Sequence, residues 1–261
     1  MSNERVKEVR ALQAKRRARE KAGRFVVEGT RLVREAANSP AQLVQVFYTE
    51  DFASSPEGEP LIDLLSARGP ALTAVSDAVM QTMSDTETPQ GILAVAALPD
   101  LPTPDDFGFV LVCDAVSDPG NLGTIMRAAA SAAVPVLMLS GGTVDPFNPK
   151  VVRAAMGAHF RLPIRRLSWH GIEKRLAGRA IFLADTGSGA PYHDVNWTQP
   201  CALIVSDEAH GPGEEARRLA HARVTIPMPG GMESLNVAMA TTVLLFEWVR
   251  QQRISGQPEG E

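Results

Sequence analysis

Apolar positions along this chain change their spacing several times, and each change marks an element. Val6, Val9 and Leu12 recur at helical spacing among charged residues, which predicts a helical arm with one modest apolar face. Strand-like runs follow at Arg24–Glu28, Leu43–Thr49, Leu72–Val75 and Gly91–Ala97, separated by helix-like segments at Arg31–Ala37, Pro60–Ala67 and Ala78–Met83. The stretch Ser54–Pro60 has the composition of a surface loop. Further on, the runs Phe109–Cys113, Val134–Leu139, Ala180–Ala184, Ala202–Val205 and Val224–Ile226 are continuously apolar. Helix-like segments alternate with them at Asn121–Ala133, Pro149–Ala158, Trp169–Ala177 and Glu214–His221, and a last helix is expected over Leu235–Arg253. Strands buried on both faces and alternating with helices predict a parallel sheet in an α/β layer fold. The nine residues Leu98–Asp106 hold three prolines and three aspartates and read as a linker. The expected organisation is a small α/β domain over residues 1–98, a linker over 99–106, a larger α/β domain over 107–253 and a tail over 254–261.

Composition narrows the classes. Hydrophobic residues make up 44% and charged residues 21% of the 261 positions, as in ordinary globular proteins. No apolar run approaches the roughly 20 residues of a membrane span, and the charged N-terminus lacks the core of a signal peptide. Cys113 and Cys201 each lie in an apolar run, so buried inert thiols and a cytoplasmic location are expected, and the five histidines have no metal-ligand spacing. The net charge of −4 argues against nucleic acid only until its distribution is considered. Residues 1–34 carry eleven of the 26 basic residues, Arg16, Arg17 and Arg19 among them, against four glutamates. Such a segment can neutralise phosphates, and it serves equally well as a solvated helix with Glu/Arg pairs.

Ligands of open α/β sheets bind at the C-terminal ends of strands, and several loops with chemical content fall there. Asp114–Arg127 places Gly120 and Gly123 around Asn121 at a strand-to-helix junction, with Arg127 one to two turns into the helix. Asn121 suits a helix cap and Arg127 a surface charge or a functional cation. Val205–Gly213 puts Glu208 after a buried strand, as a catalytic group or as a carboxylate that holds loops together. Asp185–Ala190 carries a Gly-x-Gly that could seat a cofactor. Ile226–Ala240 is a Pro/Gly-rich loop running into an apolar helix, where Ser234 is expected to cap. Lys150 and Arg153 are three apart on one predicted helix, a small cationic patch or a solvated face. The dinucleotide fingerprint and the P-loop are both missing, which disfavours an oxidoreductase or an ATP site.

Taken in order, Asn121-Leu-Gly-x-x-x-Arg127, Glu208-x-x-Gly211 and Ile226-Pro-Met…Glu233-Ser-Leu-Asn-Val237 resemble the motifs of the SpoU (TrmH-type) RNA ribose 2′-O-methyltransferases of the SPOUT superfamily. Lys150–Gly157 is similar to that family too. Phe25–Gly29 and Thr88–Ala94 look like its small, ribosomal-protein-like substrate-binding domain. The resemblance implies S-adenosylmethionine as methyl donor, a deep trefoil knot around the cofactor pocket, no metal, and a homodimer with the site completed near the subunit interface. It implies Arg127 as base or hydroxyl activator, with Asn121, Glu208, Ser234 and Asn236 around it. Ser206, Gly211, Ile226, Met228, Leu235 and Asp185 are expected at the cofactor, although Ser206 stands where the family usually has glycine. Arg16, Arg17, Arg19, Lys150 and Arg153 are expected at RNA, with rRNA of the 23S type favoured over tRNA. The alternative is a non-catalytic RNA-binding or ribosome-assembly protein that retains the fold.

Overall fold

A computed structural model describes residues 3–104, 107–207 and 211–254. The chain divides into two compact units, Met1–Asp100 with Asp145–Arg161, and Leu101–Val144 with Leu162–Glu261.

The first unit is built on four strands, β1 (Arg24–Glu28), β2 (Leu43–Tyr48), β3 (Ala71–Ala74) and β4 (Ile92–Ala97), in the order β1-β4-β2-β3. β4 pairs antiparallel with β1 and β2, and β3 joins β2 in parallel. Period-two alternation sends Phe25, Val27, Val46, Ile92 and Ala94 to one face, where they pack with Leu32, Val33, Leu61 and Leu65. Val26, Phe47, Leu93 and Val95 go to the other face, against Val9, Leu12, Met80 and Met83. The apolar stripe of the arm is therefore core, since Val9 and Leu12 are each only 1% exposed. Val152 and Phe160 of the 145–161 segment join the first core, and each such burial contributes roughly 1.5–3 kcal/mol. The Ser54–Pro60 region is less of a loop than its composition suggests, because a helix already begins at Gly58. There Ser55 Oγ accepts from Gly58 N at 3.0 Å.

Among the described residues the second unit carries seven strands: β5 (Phe109–Asp114), β6 (Leu137–Leu139), β7 (Ile164–Arg166), β8 (Ala180–Ala184), β9 (Ala190–Pro191), β10 (Cys201–Ser206) and β11 (Ala222–Thr225). Their order is β7-β6-β5-β10-β8-β11-β9, and every pairing is parallel. β10 is thus inserted between β5 and β8, strands that precede it in the chain. Helices cover both faces. Val110, Val112, Ile204 and Leu183 pack towards Ile172, Leu176, Ala216 and Leu219. On the opposite face Phe109 stacks on Trp248 with ring centroids 4.4 Å apart and meets the fully buried Trp197. Trp248 belongs to the last helix, Val237–Ile254, which packs on the helix Pro119–Ser131. The expected strand over Val134–Leu139 shrinks to its last three residues, because Val134 N still bonds Ala129 O at 2.9 Å as the preceding helix closes. β7 and β9 were not expected, being edge strands of three and two residues.

Candidate methyl-donor site

β8, β10 and β11 end on the same edge of the parallel sheet, and the chain leaves each through an irregular segment. These segments enclose a cavity of about 280 Å³. All six residues expected at a cofactor line it: Asp185 just beyond β8, Ser206 and Gly211 at and after β10, and Ile226, Met228 and Leu235 after β11. Ser234 lines it as well. Sequence reasoning missed Thr186, Asp207, Pro212 and Glu233, each of which sits beside a residue that was expected there. The walls suit a nucleoside with a charged tail. Val205, Val224, Ile226, Met228, Leu235, Val237 and Leu244 supply apolar surface, and Asp185, Thr186, Ser206, Asp207, Glu233 and Ser234 supply polar groups. Asp185 is held by Arg223 at 3.1 Å and accepts from Gly187 N at 3.2 Å, which fixes one side of the mouth.

Carboxylates brace the surrounding loops. Asp207 accepts from Ser117 N at 3.1 Å and Ser117 Oγ at 2.6 Å, joining the loop after β10 to the loop after β5. Asp114, 4% exposed at the end of β5, accepts from Gly213 N at 2.8 Å and Ser140 Oγ at 3.0 Å. A Cβ at residue 213 would lie 3.2 Å from the Asp114 carboxylate, so a larger residue would crowd this brace. Both thiols are buried and inert: burial pushes the Cys201 thiol up to about 12 and raises that of Cys113 further.

Both helix caps differ from those expected. Asp118, not Asn121, caps the helix Pro119–Ser131, its carboxylate accepting from Asn121 N at 2.7 Å. Asn236, not Ser234, caps the last helix, because its Oδ1 accepts from Ala238 N at 3.0 Å and Met239 N at 3.4 Å. The same side chain donates from Nδ2 to Asn121 Oδ1 at 2.8 Å, so the first and third motifs meet directly. Ser234 is free of the capping role and exposed at the pocket. Arg127 is exposed on the helix Pro119–Ser131 and is not part of the pocket lining. Glu208 lies outside the described residues.

The residues expected at RNA lie in the first unit. Arg16 and Arg17 are exposed, Arg16 pairing with Glu20 at 2.6 Å. Arg19 is a correction: at 4% exposure it is turned inward, with Asp145 Oδ2 3.0 Å from its Nε and Leu12 O 2.6 Å from its Nη1. Those bonds tie the arm to the 145–161 segment and take up the donors that a phosphate would need. Lys150 is exposed near the start of the helix Pro149–Ala155, while Arg153 is half-buried and paired with Asp85 at 2.7 Å. Among the described residues no group of His, Cys, Asp and Glu could hold a metal, and no helix is long and apolar enough to cross a membrane.

Residues 108–246 match the SpoU rRNA Methylase family, and residues 3–94 match the MRM3-like substrate binding domain. The chain is 34% identical over 248 residues to the 23S rRNA (guanosine(2553)-2′-O)-methyltransferase RlmP of Bacillus subtilis (strain 168), across 94% of this chain and 95% of that one. It is 32% identical over 268 residues to the 23S rRNA (uridine(2479)-2′-O)-methyltransferase of Streptomyces viridochromogenes, across 98% and 92%. The crystal structure of the SpoU methyltransferase AviRb from Streptomyces viridochromogenes with the cofactor AdoMet has a TM-score of 0.85 at 30% identity, covering 98% of this chain and 100% of that one. With the pocket residues and the Asn121–Arg127 helix both inside the matched region, the chain belongs to the SpoU rRNA methylase family.

Proposed function

We propose that this protein transfers a methyl group from S-adenosylmethionine to a ribose 2′-hydroxyl of structured rRNA, of the 23S type rather than tRNA. The observation that carries the reading is the convergence of Asp185, Ser206, Gly211, Ile226, Met228, Leu235 and Ser234 on one cavity at the C-terminal edge of a parallel sheet. Bound there, S-adenosylmethionine supplies an electrophilic methyl on a sulfonium, and no metal is called for. The apolar wall would hold the nucleoside beside the irregular 226–235 backbone. Ser206, in place of glycine, stands in the cavity lining and can still offer its N–H. Attack by the 2′-oxygen forms a C–O bond as the S–C bond breaks, so orientation of the ribose carries much of the rate. Asn121, Ser234 and Asn236 supply orienting hydrogen bonds. Arg127 is exposed on its helix, where its guanidinium fork can hold a flanking phosphate and polarise the hydroxyl, whose proton passes to solvent. Glu208 belongs to the same proposed set.

The proposal includes a homodimer and a cytoplasmic location. Met239, Val243 and Phe246 form a stripe at helical spacing on the last helix and are 62%, 36% and 47% exposed, a face that a second copy would cover. Its partner would bring Arg127 to a cavity that this chain's own Arg127 does not line. The trefoil threading of the last helix is part of the same reading.

The test is a map of ribose methylation in 23S rRNA treated with purified protein and S-adenosylmethionine. One modified nucleotide is expected. Arg127→Ala should lower its formation by about 10²–10⁴-fold and leave cofactor affinity within about threefold. A protein that neither binds the cofactor nor modifies rRNA would fit the non-catalytic assembly reading instead.

A further inference from the structure

A second cavity, of about 1010 Å³, opens in the first unit, and the methyl-transfer chemistry makes no use of it. Its walls are the start of the helix Thr30–Ala37, the turn Ser55–Glu57, the loop Thr86–Gln90, and Arg153 with Met156. These walls are braced. Glu28 accepts from Thr86 Oγ1 at 2.7 Å, from Asp85 N at 3.1 Å and from Ser84 Oγ, which holds the loop in place. Asp85 in turn holds Arg153 at 2.7 Å. Gln90 Oε1 accepts from Thr30 N at 2.9 Å. Gly29, at φ +94°, makes that possible, because a Cβ there would lie 2.9 Å from the same oxygen.

The chemistry of the walls selects a ligand. Glu28 and Glu57 offset Arg31 and Arg153, so the cleft lacks the surplus of cations that phosphate contacts use. Leu32, Phe52, Pro56 and Met156 give it apolar surface, and Thr30, Ser55, Thr86, Thr88 and Gln90 give it polar groups. An unstacked base needs that combination, a surface for its faces and fixed donors and acceptors for its edges. We propose that this cleft receives an unpaired nucleobase of the RNA substrate and so contributes to choice of target. The proposal rests on the RNA methyltransferase reading. The cleft shares no residue with the methyl-donor cavity. Arg153 and Met156 come from the methylase-matched part of the chain, so recognition extends beyond the matched substrate-binding domain.

The experiment fills the cleft and measures binding of transcribed 23S rRNA to the full-length protein. Thr88 is exposed and lines the cleft, and Thr88→Phe would occupy the space of a base. RNA affinity should fall at least about tenfold, while Thr88→Ser stays within about twofold. Cofactor affinity should be unchanged. The salt dependence should keep its slope, because no phosphate contact is lost. If Thr88→Phe loses its melting transition, Pro56→Trp fills the cleft from the Ser55–Glu57 turn. Unchanged RNA affinity in the folded variant overturns the proposal, as does a loss accompanied by a shallower salt slope, which would indicate a phosphate site. A wild-type protein that binds the transcript but methylates nothing refutes the functional reading, and the Thr88→Phe comparison still decides the cleft. Failure of the wild type to bind the transcript overturns both.

Discussion

Asn236 carries two bonds on one side chain, and substitutions can separate them. Its Oδ1 caps the helix Val237–Ile254, and its Nδ2 donates to Asn121. Removing a cap costs about 1 kcal/mol, and losing an exposed side-chain hydrogen bond costs about 0.5–1 kcal/mol, so Asn236→Ala should destabilise by about 1.5–2 kcal/mol. Asn236→Asp keeps the acceptor and adds a negative charge at a helix N-terminus, and the Asn121 amide can turn to donate to it. Its cost should stay within about 0.5 kcal/mol. Urea unfolding followed by circular dichroism measures both variants. At about 2–4 °C per kcal/mol, the melting temperature of Asn236→Ala should fall by about 3–8 °C. Leu235 and Val237 flank Asn236 and line the donor cavity, so Asn236→Ala should also weaken cofactor binding several-fold where Asn236→Asp does not. In a double-mutant cycle Asn121→Ala and Asn236→Ala should couple by about 0.5–1 kcal/mol. Equal destabilisation by Ala and Asp would refute the cap, and strict additivity in the cycle would refute the link between the motifs.

The basic arm should separate into structural and RNA-facing positions. Arg19→Ala leaves Asp145 without its partner in a largely buried site and should destabilise by about 3–5 kcal/mol in urea unfolding, whereas Arg16→Ala with Arg17→Ala should keep stability and flatten the salt dependence of rRNA binding. An unchanged slope would leave Arg16 and Arg17 without a role at RNA. Burial lowers the His159 imidazole from 6.5 to about 4, with Pro146 O 2.6 Å from Nε2. The folded value lies below the unfolded one, so this contribution is whole above pH 6.5 and is lost as pH falls towards 4, by up to about 1.4 kcal/mol per pH unit. Urea midpoints across that window should show a slope that His159→Asn reduces. Phe246→Glu charges the exposed stripe and should give a monomer by sedimentation, with methylation lost and cofactor binding kept. A dimer that persists removes this stripe from the interface.

Most of the element pattern was legible because it rests on local periodicity. β5 and β10, buried along nearly their whole length, read as continuous apolar runs, and β1, β2 and β4 hold their alternation against two cores. What was not legible depends on pairing at a distance. β7 and β9 are too short to carry a period and exist because β6 and β11 offer them an edge. The attachment of residues 145–161 to the first unit needs Val152, Phe160 and the Arg19–Asp145 pair, contacts that span more than a hundred positions. Cap assignment failed for a related reason. Ser234 and Asn121 are good caps by type, but Asn236 and Asp118 stand where the first turns present their free N–H groups.

The residues that line the cavity were foreseen more completely than the surroundings of Arg127, and the sheet explains the difference. A parallel sheet forces β8, β10 and β11 to end on one edge, so any residue a step or two beyond those strands is brought to the same cavity. Spacing along the chain then suffices to place Asp185, Ser206 and Ile226. Arg127 lies instead beyond the N-terminal turn of a helix, where the sheet edge no longer dictates its surroundings and the residue points to solvent. That exposure is what an RNA-facing group requires, since a ribose arrives from outside while a small cofactor can settle into the edge of the sheet. The helix that bears Arg127 packs on the helix that bears the exposed Met239–Phe246 stripe, so covering that stripe with a second copy would also fix what stands opposite Arg127. On the proposed reading, dimerisation and catalysis are thus two consequences of one helix pair.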